Sequence, residues 1–262
     1  MKTLWAYVRI TIFFLSVIVI FPGLIITSKT KTLSLWYNKA CFKMFCFFLG
    51  MKTKIRKGKL ANTKNLLLVC NHNSYLDVFG LGSLLKINFV AKGDVKKWPL
   101  FGTVASLGNT VYISRDRMKA GSQVDFMEKE LEKRNNPLLV FPEGTSTDGN
   151  EVLPFKSSLF AMFEKHIGKK NNNQITIQPI SIAYTYQGKK KLDDNGRKNY
   201  AWYIKEQGLM EHLVNAVKHS PFTMEVIIHN PIDLSTFKDR KELALYCHDI
   251  VEKGFNELIN KP

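Results

Sequence analysis

The sequence predicts an α/β fold: a mixed, largely parallel sheet with helices on both faces, preceded by an N-terminal membrane-associated helical segment. Three observations predict it. From about residue 60 onward, short apolar runs alternate with amphipathic ones, the pattern of β-α units. Several of the short runs are continuously apolar, as strands buried in a sheet are. Residues 10–27, ITIFFLSVIVIFPGLIIT, run 18 residues without a charge. As a helix that stretch would cover about 27 Å, close to the thickness of a bilayer core.

The N-terminal elements come first. No small-residue cleavage site follows residue 27; the next residues are SKTKT, so a retained anchor is expected rather than a cleaved signal peptide. A second apolar stretch, LSLWYNKACFKMFCFFLG (33–50), carries Lys39 and Lys43 four apart on one helical face. Two mid-segment lysines argue against a simple span, and Trp36 and Tyr37 suit a headgroup region. An interfacial or re-entrant helix is expected. Pro22-Gly23 could bend the first helix so that neither segment crosses completely. Lys29, Lys31, Lys52, Lys54, Arg56, Lys57 and Lys59 lie downstream, against Lys2 and Arg9 upstream. The positive-inside bias puts the large domain in the cytoplasm, on a bacterial inner membrane. The lysine cluster suits anionic headgroups or a solvated linker equally. The expected division is 1–54 for membrane-anchoring helices and 55–262 for an α/β domain.

Within that domain NLLLVC (65–70) reads as a buried strand, YLDVFGLGSLL as a helix weakened by two glycines, and INFVA and NTVYIS as strands. Residues 118–134 read as a helix, with Val124, Met127 and Leu131 on one face. PLLVF is a strand, SSLFAMFEKHI a helix, and ITIQPISIAY and FTMEVIIH strands. A C-terminal helix begins near 239. GKKNNN (168–173) and GKKKLDDNGRKNY (188–200) read as surface loops.

Charge narrows the function classes. Among 262 residues, 38 Lys and Arg against 22 Asp and Glu give +16, which favours anionic partners: nucleic acid, anionic lipid or phosphorylated substrates. A lysine-rich genome would give the same balance. No aromatic-basic interleaving marks a nucleic-acid platform, so no nucleic-acid partner is expected. Cys41, Cys46, Cys70 and Cys247 form neither a CxxC nor a Cys/His cluster, so no metal site and no disulfide framework are indicated.

Chemistry concentrates at the expected strand ends, where α/β sheets build their sites. His72 follows the strand 65–70 at once, inside NHNSYLD (71–77). Ser74 and Asp77 have capping-box spacing, so Asp77 has a purely structural reading. The same geometry brings its carboxylate near His72, where it could fix the imidazole tautomer and raise its basicity, as a general base acting on a hydroxyl requires. No serine or cysteine nucleophile accompanies the pair, so the substrate would bring its own hydroxyl. VYISRDR (111–117) delivers Arg115 and Arg117 after another strand, suited to phosphate or to solvent. VFPEGTS (140–146) ends a third: either a plain turn, or one bent by Pro142 and Gly144 whose backbone N–H groups and Thr145 hydroxyl could face an anion, with Glu143 organising a basic residue or bonding a substrate hydroxyl.

Together these residues resemble the glycerolipid acyltransferase family, in particular bacterial 1-acyl-glycerol-3-phosphate acyltransferases. The family's His-x4-Asp motif matches His72 to Asp77, its arginine-bearing motif GNTVYISR ending at Arg115, its Phe-Pro-Glu-Gly-Thr motif residues 141–145, and its proline-containing strand IQPISI with Pro179. AKGDVKKWPLFG (91–102) is similar to the segment between the first two motifs, with Asp94-Val95 departing mildly from the acidic-leucine pair. The likeness covers roughly 65–185. It implies that His72 deprotonates the sn-2 hydroxyl of lysophosphatidic acid, that Asp77 stabilises the imidazolium, and that Arg115, Glu143, Gly144 and Thr145 hold the phosphate. Lys92, Arg117 and Lys156 are further phosphate candidates. The donor would be acyl-CoA or acyl-carrier protein, the partners membrane lipids and a lysophospholipid acceptor, with no cofactor and no metal. A lyso-ornithine lipid is the rival acceptor, and a hydrolase the rival reaction. AWYIKEQGLMEHL (201–213) is partly similar to a segment of some bacterial members; no role is assigned to Trp202, Tyr203 or His212.

Overall fold

The computed structural model describes residues 2–28, 30–97, 101–113, 120–134, 136–168, 175–204 and 207–260. Helix α1 (Lys2–Ser28) runs through Pro22; a second helix, α2 (Lys31–Leu49), ends at Gly50 in a left-handed conformation. The face of α1 bearing Ala6, Ile10, Phe13, Val17, Ile20 and Leu24, spaced alternately by four and three, is buried in a core shared with the sheet. Its other face leaves Leu15, Ile18, Val19 and Ile26 exposed. Arg9 and Lys39 of these helices bond to groups of the protein. Arg9 donates to Ser220 Oγ at 2.8 Å and to Phe47 O at 3.2 Å. Lys39 donates to the Leu84 carbonyl at the end of the helix Leu76–Leu84, where the helix dipole favours a cation.

Among the described residues the sheet has eight strands. They are β1 (Met51–Lys57), β2 (Leu66–Cys70), β3 (Asn88–Lys92), β4 (Val111–Ile113), β5 (Leu138–Val140), β6 (Thr176–Gln187), β7 (Lys190–Lys191) and β8 (Phe222–Ile228). The order is β1-β8-β6-β2-β5-β3-β4, with β7 pairing β6. β2, β3, β4, β5 and β6 run parallel; β8 is antiparallel to β6 and parallel to β1. This is the expected mixed, largely parallel sheet. Period-2 alternation in β2 sends Leu66, Leu68 and Cys70 into one core and Leu67 and Val69 into the other. α1, α2 and α3 (Leu76–Leu84) line the first core, with α7 (Leu209–Lys218); the second lies against α5 (Ala120–Arg134) and α8 (Arg240–Asn260).

Three expectations need correction. The lysine cluster at 52–57 is not a linker: it is β1, an edge strand blunted by charge, with Lys52, Lys54 and Lys57 exposed. Arg56 and Lys54 pair there with the buried Glu225, at 3.2 and 3.9 Å. The helix expected over 157–167 is a 3-10 turn, Ser157–Phe163, whose threefold repeat stacks Phe160 and Phe163 on one buried side. The loop expected at 188–200 contains β7 and the short α6 (Asp194–Lys198), capped by Asp193 accepting from the Gly196 amide at 2.8 Å. Most of GKKNNN lies outside the described residues.

Candidate active site

Because β2, β3 and β5 run parallel, their carboxyl ends open on one edge of the sheet and gather the predicted residues there. β2 ends at Cys70, and Asn71 anchors the departing chain by pairing its amide with both the N–H and the carbonyl of Ile182, each at 2.9 Å. His72 comes next. Its Nδ1 lies 3.0 Å from Asp77 Oδ2. That same oxygen accepts from the Asn73 amide at 2.7 Å and the Ser74 amide at 2.9 Å, while Oδ1 accepts from the Tyr184 hydroxyl at 2.7 Å. Asp77 is fully buried, and four donors offset the cost of holding a carboxylate there. One carboxylate thus ties down the loop that leads into α3 and accepts a hydrogen bond from the His72 ring.

With Nδ1–H donating to Asp77, the tautomer leaves Nε2 with its lone pair, and Nε2 has no protein partner among the described residues. The ring stacks on Phe141, centroids 4.1 Å apart and 20° from parallel. The opposite loop, 141–147, is fixed to it: the Thr147 amide donates to His72 O at 3.0 Å. Glu143 does not face the opening. It is buried; Oε1 accepts from the His72 amide at 2.7 Å and Oε2 from the Leu153 amide at 2.9 Å. Both oxygens thus tie the loop that carries His72 to the segment around Leu153. Burial pushes its carboxyl up to about 8.

Gly144 sits at φ +68°, a conformation that favours glycine, and a Cβ there would lie 2.6 Å from Lys156 Nζ. Lys92, at the end of β3, donates to Gly144 O. Two ammonium groups thus converge on the turn, beside the exposed Thr145. Arg115 and Arg117 lie outside the described residues. The residues missed in sequence are Tyr184 and Phe141. Tyr184 is in phase with Ile180 and Ile182 on the same face of β6, which is the signal that could have found it. Among the described residues no cluster of His, Cys, Asp and Glu could hold a metal.

An imidazole with one nitrogen held and the other open, beside a cationic turn, can take a proton from a hydroxyl on an anionic molecule. A family profile described as Acyltransferase matches residues 52–183. The chain belongs to the acyltransferase family. This acyltransferase is 36% identical to the lyso-ornithine lipid O-acyltransferase of Rhodobacter capsulatus over 210 residues, covering 80% of this chain and 72% of that one. It is 32% identical to the 1-acyl-sn-glycerol-3-phosphate acyltransferase of Neisseria gonorrhoeae over 194 residues, covering 74% and 69%. Its fold matches the crystal structure of the 1-acyl-sn-glycerophosphate acyltransferase from Thermotoga maritima with a TM-score of 0.69 at 20% identity, covering 100% of this chain and 96% of that one.

Proposed function

We propose that this acyltransferase moves a fatty acyl group from a thioester, acyl-CoA or acyl-carrier protein, to the hydroxyl of a lyso-lipid, and that the acceptor is a lyso-ornithine lipid. The observation that carries the reaction is the His72–Asp77 pair with Nε2 open at the sheet edge. His72 Nε2 takes the hydroxyl proton as the acceptor oxygen attacks the thioester carbonyl. The C–S bond then breaks, and the imidazolium returns the proton to the leaving thiolate. Asp77 stabilises the imidazolium between the two steps. Lys92, Lys156 and Thr145, with Arg115 and Arg117, hold the headgroup's carboxylate. A lysine is a point charge and accepts a carboxylate as readily as a phosphate, so an ornithine headgroup suits Lys92 and Lys156. The apolar face of α1 keeps the enzyme at the membrane, with its domain on the cytoplasmic side.

The acceptor follows the relatives. Lyso-ornithine lipid O-acyltransferases from Rhodobacter capsulatus and Brucella abortus are 36% and 34% identical to this chain. Lysophosphatidic acid, the acceptor first expected from the motifs, becomes the second reading, supported by the likeness to the Neisseria enzyme. Membranes carrying the protein are given each acceptor with labelled oleoyl-CoA or acyl-carrier protein, beside His72→Ala. Diacyl product from the ornithine acceptor, lost in His72→Ala, is the expected result. Product from lysophosphatidic acid alone would transfer the assignment to the second reading. Equal product from the mutant would remove His72 as the base.

A further inference from the structure

Two residues of AWYIKEQGLMEHL (201–213) bond the loop that carries His72. The Trp202 amide donates to Asn73 O at 2.9 Å, and Ser146 Oγ of the opposite turn donates to Trp202 O. His212, in the first turns of α7, is buried, and its Nδ1 lies 3.0 Å from the Tyr75 hydroxyl. Burial lowers His212 to about 4, so it meets that hydroxyl as a neutral imidazole. Leu213, Ala216 and Val217 set α7 in the first core with residues of α1, so the imidazole is offered from a packed element. Tyr75 stands at the N-cap position of α3, three residues after His72 and two before Asp77. The loop is therefore tied from outside at successive residues: His72 to Glu143 and Thr147, Asn73 to Trp202, and Tyr75 to His212. The first three ties hold backbone atoms. The bond to His212 holds a side chain, midway between the base and the carboxylate that orients it. Proton transfer is sensitive to that placement, since a shift of about 1 Å in a reacting group can cost roughly a hundredfold in rate.

We propose that His212 is a positioning residue for acyl transfer: through the Tyr75 hydroxyl it holds the 72–77 loop so that the His72 imidazole keeps the placement its proton transfer needs. The inference rests on the lipid acyl transfer above. It is tested with His212→Leu, His212→Asn, Tyr75→Phe and the double variant His212→Leu/Tyr75→Phe, each assayed with the acceptor that wild type uses. Tyr75→Phe keeps the ring and its edge-on contacts with Phe79 and Trp202 and removes only the hydroxyl. Asn at 212 can place an amide where Nδ1 stands, whereas Leu fills the space without a hydrogen bond. Rates are expressed per folded protein, with the folded fraction taken from near-UV circular dichroism, so a variant that only folds poorly does not register as slow. His212→Leu and Tyr75→Phe should each lower kcat roughly ten- to a hundredfold and leave KM for acceptor and donor near wild type. His212→Asn should recover most of the loss, and the double variant should be no slower than the slower single one, because both changes break the same bond. A wild-type kcat per folded protein in either single variant overturns the proposal. Losses that multiply in the double variant overturn it too, since His212 and Tyr75 would then act separately. A wild type that acylates neither acceptor overturns the underlying reaction instead.

Discussion

His72 keeps one nitrogen open because Asp77 occupies the other, and Asp77 can do so only because Tyr184 and two backbone amides share its charge. Asp77→Asn can retain this geometry, turning its carbonyl to the three N–H donors and its amide to a rotated Tyr184 hydroxyl. What it loses is the charge facing the imidazolium. We expect a folded variant with kcat lower by roughly 10²–10⁴ and little change in KM, measured with the acceptor that wild type uses. A wild-type kcat would reduce Asp77 to a cap. Tyr184→Phe leaves Oδ1 buried without its donor and should cost about 1–3 kcal/mol of stability, seen in denaturant unfolding of the detergent-solubilised protein. Glu143 gives a pH signature. Burial raises its carboxyl from an ordinary 4.5 to about 8, so the folded state holds this proton more tightly than the unfolded chain. The stability so contributed is full below about pH 4.5 and is lost as pH rises through about 8. Glu143→Gln abolishes the titration and points an amide N–H at one of the two backbone donors. The variant should melt below wild type near pH 5, and the gap should narrow by about pH 8.5. A gap constant across that range would show that Glu143 does not titrate there.

The elements that carry these residues depend on close approach. The two glycines of α3 read in sequence as weak points, yet a Cβ at Gly82 would run into the Phe42 ring of α2, and one at Gly80 into Met51 and Met224. Gly82→Ala gains about 1 kcal/mol of helix propensity but forces an aromatic side chain from a packed core, at about 1–3 kcal/mol. Overpacking should win: we expect a lower melting temperature and, since α3 carries Asp77, reduced activity. A higher melting temperature would show that α2 and α3 have room to spare. Such contacts explain what could be read from sequence. β2, β5, β6 and α8 announced themselves because burial on both faces or at helical spacing leaves a periodic apolar signature. The spacing of His72, Ser74 and Asp77 and the Phe-Pro-Glu-Gly-Thr turn pointed to residues that the fold brings together at the sheet edge. β1 stayed hidden because an edge strand can face solvent with lysines, and the buried carboxylate its cations pair with, Glu225, lies about 170 residues away in the chain. Tyr184 stayed hidden because a hydroxyl that completes a carboxylate's shell looks, in sequence, like one more bulky strand residue. Glu143 was legible as part of a motif, but its bonds to the His72 and Leu153 amides were not, since a motif shows which residues gather and not which way a side chain turns.

At the scale of the molecule, α1 must serve two solvents. Thr3–Ser28 is long and apolar enough to cross a bilayer, with an 18-residue window of mean hydropathy 2.6, but 39% of that window is buried inside the protein. Ile10, Phe13, Val17 and Ile20 belong to the same core as Leu68 and Leu81 of the catalytic domain. Leu15, Ile18, Val19 and Ile26 are 55%, 66%, 78% and 70% exposed, a stripe that water would not tolerate and lipid would. The two faces should therefore separate by mutation. Removing residues 2–28 strips the cover from the shared core and should give an aggregated chain, not a soluble enzyme. Changing Leu15, Ile18, Val19 and Ile26 together to Gln leaves the core intact. It removes about 1.5–3 kcal/mol of apolar transfer energy per side chain, enough in sum to lower membrane partitioning by several orders of magnitude. The expected outcome is a protein that moves to the supernatant after carbonate washing while its near-UV circular dichroism stays that of wild type. Should the fourfold variant stay in the pellet with its fold unchanged, the exposed stripe of α1 is not what holds the enzyme to lipid, and Trp36 and Phe47 of α2, both exposed, become the residues to change next.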